Sequence, residues 1–291
     1  LDLNRFKNAN GLHTNALYSF HRMFKSILDS EKPTHVLVAW DAGKTTFRTE
    51  MYADYKGGRS KTPGEFIEQM PYFNVLLDAW GIPHYRLNQY EADDIIGTLA
   101  KQGEAAGYEV VVLSGDKDLI QLADKNITVK ITTKGVTELV EYTPEVIFEK
   151  YGLTPEQIID MKGLMGDSSD NYPGVTKVGE KTAVKLLQEF GSVEGIYEHV
   201  DEMKKSKLKE NLINDKELAF LSKKLARINV ESPLEITLED TLRKEQDVEA
   251  LMAFYKEMNF NSFQSELLNS GAAAVEEAPK ADRLNVKRVV E

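Results

Sequence analysis

The chain contains no cysteine, which excludes disulfides, thiolate metal sites and cysteine nucleophiles. Histidine is scarce. His13, His21, His35, His84 and His199 are scattered along the chain, so a histidine-based metal centre is not expected. No apolar run approaches the ~20 residues that span a bilayer, and no signal peptide is visible. The expectation is a cytoplasmic protein without a membrane partner. No segment repeats at solenoid length. Positive charge is also in deficit, with 36 Lys and Arg against 47 Asp and Glu and a formal net charge of −11. That average argues against a nucleic-acid partner, but the deficit is uneven. Between Lys44 and Lys61 the basic residues Lys44, Arg48, Lys56, Arg59 and Lys61 meet only two acids, Glu50 and Asp54.

What is present reads as an ordered α/β chain. Leu17, Phe20, Phe24, Ile27 and Leu28 recur at helical spacing, predicting a helix over 14–29 that Pro33 stops. Val36 to Trp40 is wholly apolar, as in a parallel strand buried on both faces, and it ends at Asp41. Apolar periodicity is lost over 42–64, where Gly57-Gly58 interrupts a long insertion. It returns with Phe66, Met70, Phe73, Leu77 and Trp80, with a kink or restart expected at Pro71. A short strand over 82–86, a helix from Glu91 to about Ala106 capped by Gly107, and a strand over 109–113 follow. The runs 127–131 and 136–140 suggest a hairpin around Lys134-Gly135. Such alternation predicts a central, mostly parallel sheet flanked by helices. After about residue 143 the chain is helical, with N-cap and proline starts at Thr143-Pro144 and Thr154-Pro155-Glu156-Gln157. The second helix ends near Gly166. Others are expected over 180–190, around 200–228 and over 246–258. From about Ser270 Ala, Glu, Pro and Lys dominate, as in a linker. The expected division is an α/β core over 1–165, an all-α subdomain over 166–263 and a linker over 264–291.

The acids are grouped. Glu91, Asp93 and Asp94 fall within four residues, and near a protein surface two charges about 4 Å apart interact by ~4 kcal/mol. A helix N-terminus offsets only part of that. Asp41 follows one predicted strand, Asp116 and Asp118 follow another, and ligands of open α/β sheets bind beyond the carboxyl ends of strands. Asp167 and Asp170 form a further pair past a helix end. Each group alone could be a cap or a turn former. Together they favour hard cations, Mg²⁺ or Mn²⁺, and two such ions can clamp the attacking and leaving oxygens of a phosphodiester.

The insertion mixes cations with aromatic rings: Phe47-Arg48, Tyr52 and Tyr55-Lys56-Gly57-Gly58-Arg59. That mixture suits single-stranded nucleic acid, or simply a solvated loop. Lys56 or Arg48 could stabilise charge on a scissile phosphate. Ala42-Gly43-Lys44-Thr45 is no P-loop, because Val38 stands where that motif needs its first glycine. The stretch from Gly174 through Gly179 to Lys181 and Thr182 is either a plain tight turn between helices or a backbone-amide grip on duplex phosphates.

Taken together, these motifs resemble the 5′-nuclease domains of bacterial DNA polymerase I, within the family of flap endonucleases and phage 5′-exonucleases. The likeness runs from about Gly11 to Phe263. It implies a structure-specific 5′→3′ exonuclease and flap endonuclease acting in DNA replication and repair on 5′ flaps, nicks or free 5′ ends. It also implies a two-metal centre lined by Asp41, Glu91, Asp93, Asp94, Asp116, Asp118, Asp167 and Asp170. Residues 42–64 would form a helical arch, with Lys56, Arg59 and Arg48 as catalytic or phosphate-steering cations and Tyr55 and Phe47 contacting substrate. Gly174, Gly179, Lys181 and Thr182 would belong to a helix-hairpin-helix that grips duplex DNA, with a K⁺ ion. A monomer covalently joined to polymerase domains is implied. Family members begin with an apolar strand ending in Asp-Gly-Asn, and nothing before Gly11 matches it. Asp2, within Leu1-Asp2-Leu3-Asn4, is only a weak likeness. The sheet is therefore expected to lack its central strand and the first metal site a ligand. That leaves a rival reading, a non-catalytic binder of branched DNA; an RNA-directed nuclease is a more distant one.

Overall fold

A computed structural model describes residues 3–133 and 138–270, and the backbone of 283–288. In chain order the first half gives α1 (Asn15–Glu31), β1 (His35–Trp40), α2 (Phe47–Met51), α3 (Gly64–Ile67), α4 (Met70–Trp80), β2 (His84–Arg86), α5 (Ala92–Ala105), β3 (Glu109–Ser114), β4 (Ile127–Thr132) and β5 (Leu139–Tyr142). The second half gives α6 (Pro144–Tyr151), α7 (Pro155–Met165), α8 (Glu180–Phe190), α9 (Val193–His199), α10 (Lys207–Asn214), α11 (Lys216–Ala226), α12 (Val248–Met258), α13 (Asn261–Asn269) and β6 (Arg283–Arg288). Pro71 starts α4 anew after α3, as the ring's clash with a preceding turn requires. Thr154 closes a capping box with Gln157. β4 and β5 pair antiparallel; the turn expected at Lys134-Gly135 lies outside the described residues.

The sheet order is β2-β1-β6-β3-β4-β5, parallel except at β5. β1 is buried at every position. Val36, Val38 and Trp40 enter one core with α1, α4 and α12, while Leu37 and Ala39 enter a second with α5 and β3. Helices on both faces explain the unbroken apolar run. From the end of α11, residues 225–232 cross back over α5. Gln121 donates to the Ala226 carbonyl and accepts from Ile228 N–H, both at 2.9 Å, and Thr98 Oγ1 accepts from Ser232 N–H at 3.0 Å. Among the described residues no helix is long and apolar enough to cross a membrane.

The position between β1 and β3 is filled, contrary to the expected gap. Arg283–Arg288, within the stretch that reads as a linker, pairs in parallel with both neighbours, Ala39 opposite Arg288 and Leu113 opposite Lys287. Two buried strands without a partner between them would leave rows of backbone amides unpaired, and any extended segment that reaches the gap relieves that cost.

The first core holds a buried titratable group. His21 lies flat on Trp80 at 4.4 Å, with its Nε2 hydrogen-bonded to the Tyr255 hydroxyl. Burial, then the Lys25 charge, lowers its pKa from 6.5 to about 3. Unfolded chains therefore bind this proton between those values while the folded state does not, so stability falls as pH drops through that window. His21→Gln, which does not titrate, is expected to close its stability gap to wild type as pH falls from 7 to 4, by up to ~1.4 kcal/mol per pH unit. Urea unfolding at a series of pH values measures it, and parallel pH profiles would contradict it.

Candidate metal centre

The acids that are scattered in sequence form one connected network. Asp41 follows β1 and accepts from Ala92 N–H at 2.7 Å, fixing the start of α5 over the strand ends. Glu91 is the N-cap of α5 rather than its first helical residue, and its side chain and that of Asp94 cap each other's backbone N–H groups reciprocally. Glu91 and Asp94 are buried so close together because basic groups reach them. Lys56 pairs with Glu91, and its backbone N–H donates to the Asp170 carbonyl at 2.7 Å. Arg59 binds Asp170 Oδ1 at 2.6 Å. Asp170 N–H donates to Asp167 Oδ1 at 3.1 Å, and Asp118 N–H to Asp116 Oδ1 at 2.9 Å. Lys162 on α7 bridges the remaining gap, 2.7 Å from Asp167 and 3.1 Å from Asp118.

Within this network Asp118, Asp167 and Asp170 each offer one carboxylate oxygen, and the three lie within 4.8 Å of one another. The donors are all carboxylate oxygens, which suits a hard divalent cation. Burial, then the Asp116 charge, pushes the Asp118 carboxyl up to about 6. Burial acts the same way on Asp167, but hydrogen bonds from Lys162 and Ser169 outweigh it and leave that group below the usual range.

Arg48 differs from its reading as a cation facing phosphate. Its side chain is only 3% exposed, and its N–H groups are spent inside the protein. Both ends of the fork bind Asp94 at 2.8 Å, and one also binds Glu91. The rest go to the carbonyls of Leu225 at 3.0 Å and Arg227 at 2.7 Å. Burial disfavours the charge, yet the hydrogen bond and charge of Asp94, then the charge of Glu91, raise the pKa overall. Asp94 is equally engaged, since its oxygens also accept from Glu91 N–H and Asn229 N–H. Tyr55 is buried as well. Its hydroxyl donates to Glu91 and its ring faces Tyr172 at 6.4 Å, so in this conformation it offers no open face to a base. Phe47 lies half-buried between Tyr90 and the Arg48 guanidinium.

Gly174 (φ +60°) meets Gly166 (φ +68°) backbone to backbone; a Cβ on Gly174 would stand 2.3 Å from Gly166 N. The pair clamps the ends of the loop that carries Asp167 and Asp170. Two amides of the following turn are already used, Val175 N–H on the Leu164 carbonyl at 2.7 Å and Thr176 N–H on Asp215 at 2.8 Å. Gly179 is exposed and caps α8, with Lys181 and Thr182 in its first turn. Sequence reasoning missed Lys162. Its only signal was a cation in the last turn of a helix, which the helix dipole explains without any site.

The comparisons with known proteins agree on one family. Residues 2–152 match the model described as 5′-3′ exonuclease, N-terminal resolvase-like domain. Residues 153–249 match the one described as 5′-3′ exonuclease, C-terminal SAM fold. DNA polymerase I of Lactococcus lactis subsp. cremoris (strain MG1363) is 58% identical over 99% of this chain, and that of Bacillus caldotenax 54% identical over 94%. The chain spans about a third of the length of these relatives, 33% and 31%. Among solved structures, T5 5′-exonuclease with bound zinc superposes with a TM-score of 0.63 at 24% identity, covering 88% of this chain and 93% of that one. The catalytic core of Rad2 in complex with DNA substrate gives 0.61 at 17%, covering 91% and 86%.

Removing Arg48 would leave Glu91 and Asp94 buried with too little positive charge. Arg48→Met is expected to lower the unfolding free energy by ~3–5 kcal/mol. Arg48→Lys should recover less than half of that, because an ammonium cannot span two carboxylates and two carbonyls. Denaturant titrations check both; wild-type stability in Arg48→Met would refute this account of the network.

Proposed function

We propose that this chain, which belongs to the 5′-3′ exonuclease family, hydrolyses DNA phosphodiesters at free 5′ ends and 5′ flaps in replication and repair. The observation that carries the reading is the unbroken line of contacts from Asp41 to Asp116, in which acids from four separate stretches are linked by Lys56 and Arg59 of the insertion and by Lys162 of α7. Asp118, Asp167 and Asp170 would hold one Mg²⁺ or Mn²⁺, and Asp41, Glu91, Asp93, Asp94 and Asp116 the surroundings of a second. Ions bound there supply Lewis acidity for in-line attack of water on phosphorus.

The residues divide the remaining work. Lys56 and Arg59 sit on Glu91 and Asp170, so the same two side chains can move to an entering phosphate as the carboxylates turn to cations. Arg48 keeps Glu91 and Asp94 in place from behind rather than touching substrate. The exposed start of α8, from Gly179 to Thr182, offers backbone N–H groups and Lys181 to a duplex phosphate. Such contacts position DNA without reading its sequence. The chain acts as a monomeric, cytoplasmic nuclease unit joined to polymerase domains.

One observation favours the rival, a binder of branched DNA that does not cut. The central strand brings Lys287 and Arg288, not an acid, to register positions between the strand ends that carry Asp41 and Asp116. A 5′-flap duplex with Mg²⁺ separates the two. The proposal expects release of a flap product bearing 5′-phosphate, abolished by chelator. The rival expects a retarded complex and no product. Lys56→Ala is expected to slow cleavage by about 100-fold or more while leaving duplex affinity within a few-fold. Equal losses in single-turnover rate and in binding would reduce Lys56 to a backbone tether.

A further inference from the structure

We propose that Lys162 acts on the metal centre through two of its acids, as a resident monovalent cation that spans Asp118 and Asp167 and sets how weakly a divalent ion binds beside them. The inference rests on the metal-centre reading and deepens it. Lys162 stands in the last turn of α7, and the start of that helix is fixed by the Thr154 capping box. Its neighbours Met161 and Leu164 are buried in the cores. The stem therefore leaves a rigid element, and its head reaches two of the three acids that can converge on one ion. The Lys162 side chain is 19% exposed, against 17% for Asp118 and 11% for Asp167. The third acid, Asp170, is served differently, by Arg59 of the insertion, which is 39% exposed. The cluster thus has one inner cation built into the scaffold and one outer cation on a surface segment.

Two roles for such an inner cation predict opposite results. If Lys162 only braces the acids, its loss lets them splay apart, and a metal ion finds a poorer site. If it occupies charge that a divalent ion would otherwise neutralise, its loss removes both a competitor and a like charge a few Å from the ion. Like charges at that range repel strongly in a partly buried site. The geometry points to the second role. The Asp167 carboxylate and the backbone that carries Asp118 are held independently of Lys162: Asp167 Oδ1 accepts from Ser169 N–H at 2.8 Å and Asp170 N–H at 3.1 Å, the glycine pair clamps the loop of Asp167 and Asp170, and Asp118 N–H is tied to Asp116.

The test uses the whole chain as wild type, Lys162→Met and Lys162→Arg. Free Mn²⁺ is followed by electron paramagnetic resonance during titration, and melting is followed in chelator and in Mn²⁺. Lys162→Met is expected to bind Mn²⁺ about tenfold tighter or more. It should melt below wild type in chelator and regain the wild-type value when Mn²⁺ is added. Lys162→Arg, which keeps the charge, should stay within a few-fold of wild type. Lys162→Gln repeats the measurement should the methionine variant fold poorly. Unchanged or weaker Mn²⁺ binding in the uncharged variants would overturn the proposal, as would a melting deficit that Mn²⁺ does not repair. A wild-type chain that binds no Mn²⁺ would remove the metal-centre reading itself, and this inference with it.

Discussion

Buried negative charge is the constraint around which this molecule is arranged. Glu91 and Asp94 are among its least exposed side chains, and isolated carboxylates in such places are unfavourable by several kcal/mol each. Arg48 meets both of them, Lys56 adds to Glu91, and Arg59 and Lys162 do the same for the acids across the crevice. The partners lie far apart in sequence, so each pair also fixes a piece of tertiary structure. The basic insertion is held down on the acidic crevice by its own side chains, and its Lys56 backbone is bonded to Asp170 as well. A region with little apolar content thereby gains a defined position, with Tyr55 as its anchor in a small apolar cluster shared with Ile159, Tyr172 and Leu225.

Much of this was legible in the residues. The strand runs at Val36 and Val110, the caps at Thr143 and Thr154, and the restart at Pro71 depend on local chemistry, and local chemistry is written in sequence order. That Asp41, Glu91, Asp116 and Asp167 lie along one line of contacts was legible at one remove, because parallel strands place their carboxyl ends on one edge. What failed to show was decided by burial. Arg48 and Tyr55 look like substrate contacts because they stand among cations and rings. The return of residues 225–232 over α5 helps enclose Arg48, and Ile159, Tyr172, Leu225 and Ala226 pack around Tyr55. Gly174 reads as a phosphate grip, but the close approach of Gly166 is what requires a glycine there.

The sheet shows the same limit in another form. Arg283-Leu284-Asn285-Val286-Lys287-Arg288 has two apolar residues in six, whereas β1 and β3 on either side are almost wholly apolar and buried. Periodicity offers no reason to put this segment at the centre of a covered sheet. The reason lies in its neighbours, whose facing backbone groups demand hydrogen-bond partners whatever side chains come with them. The demand belongs to the gap, and sequence patterning describes only the segment.

Arg48 closes a circuit between the two halves recognised by the family models, since two of its acceptors are the main-chain carbonyls of Leu225 and Arg227. Asp94 extends the circuit to the amide of Asn229. Exchange of genetic segments among relatives near residue 152 would thus transplant half of an electrostatic lock. Hybrids should tolerate such a junction only where both parents bend the chain after α11 the same way, so the seam is a poorer place for evolutionary shuffling than its position between two family models suggests.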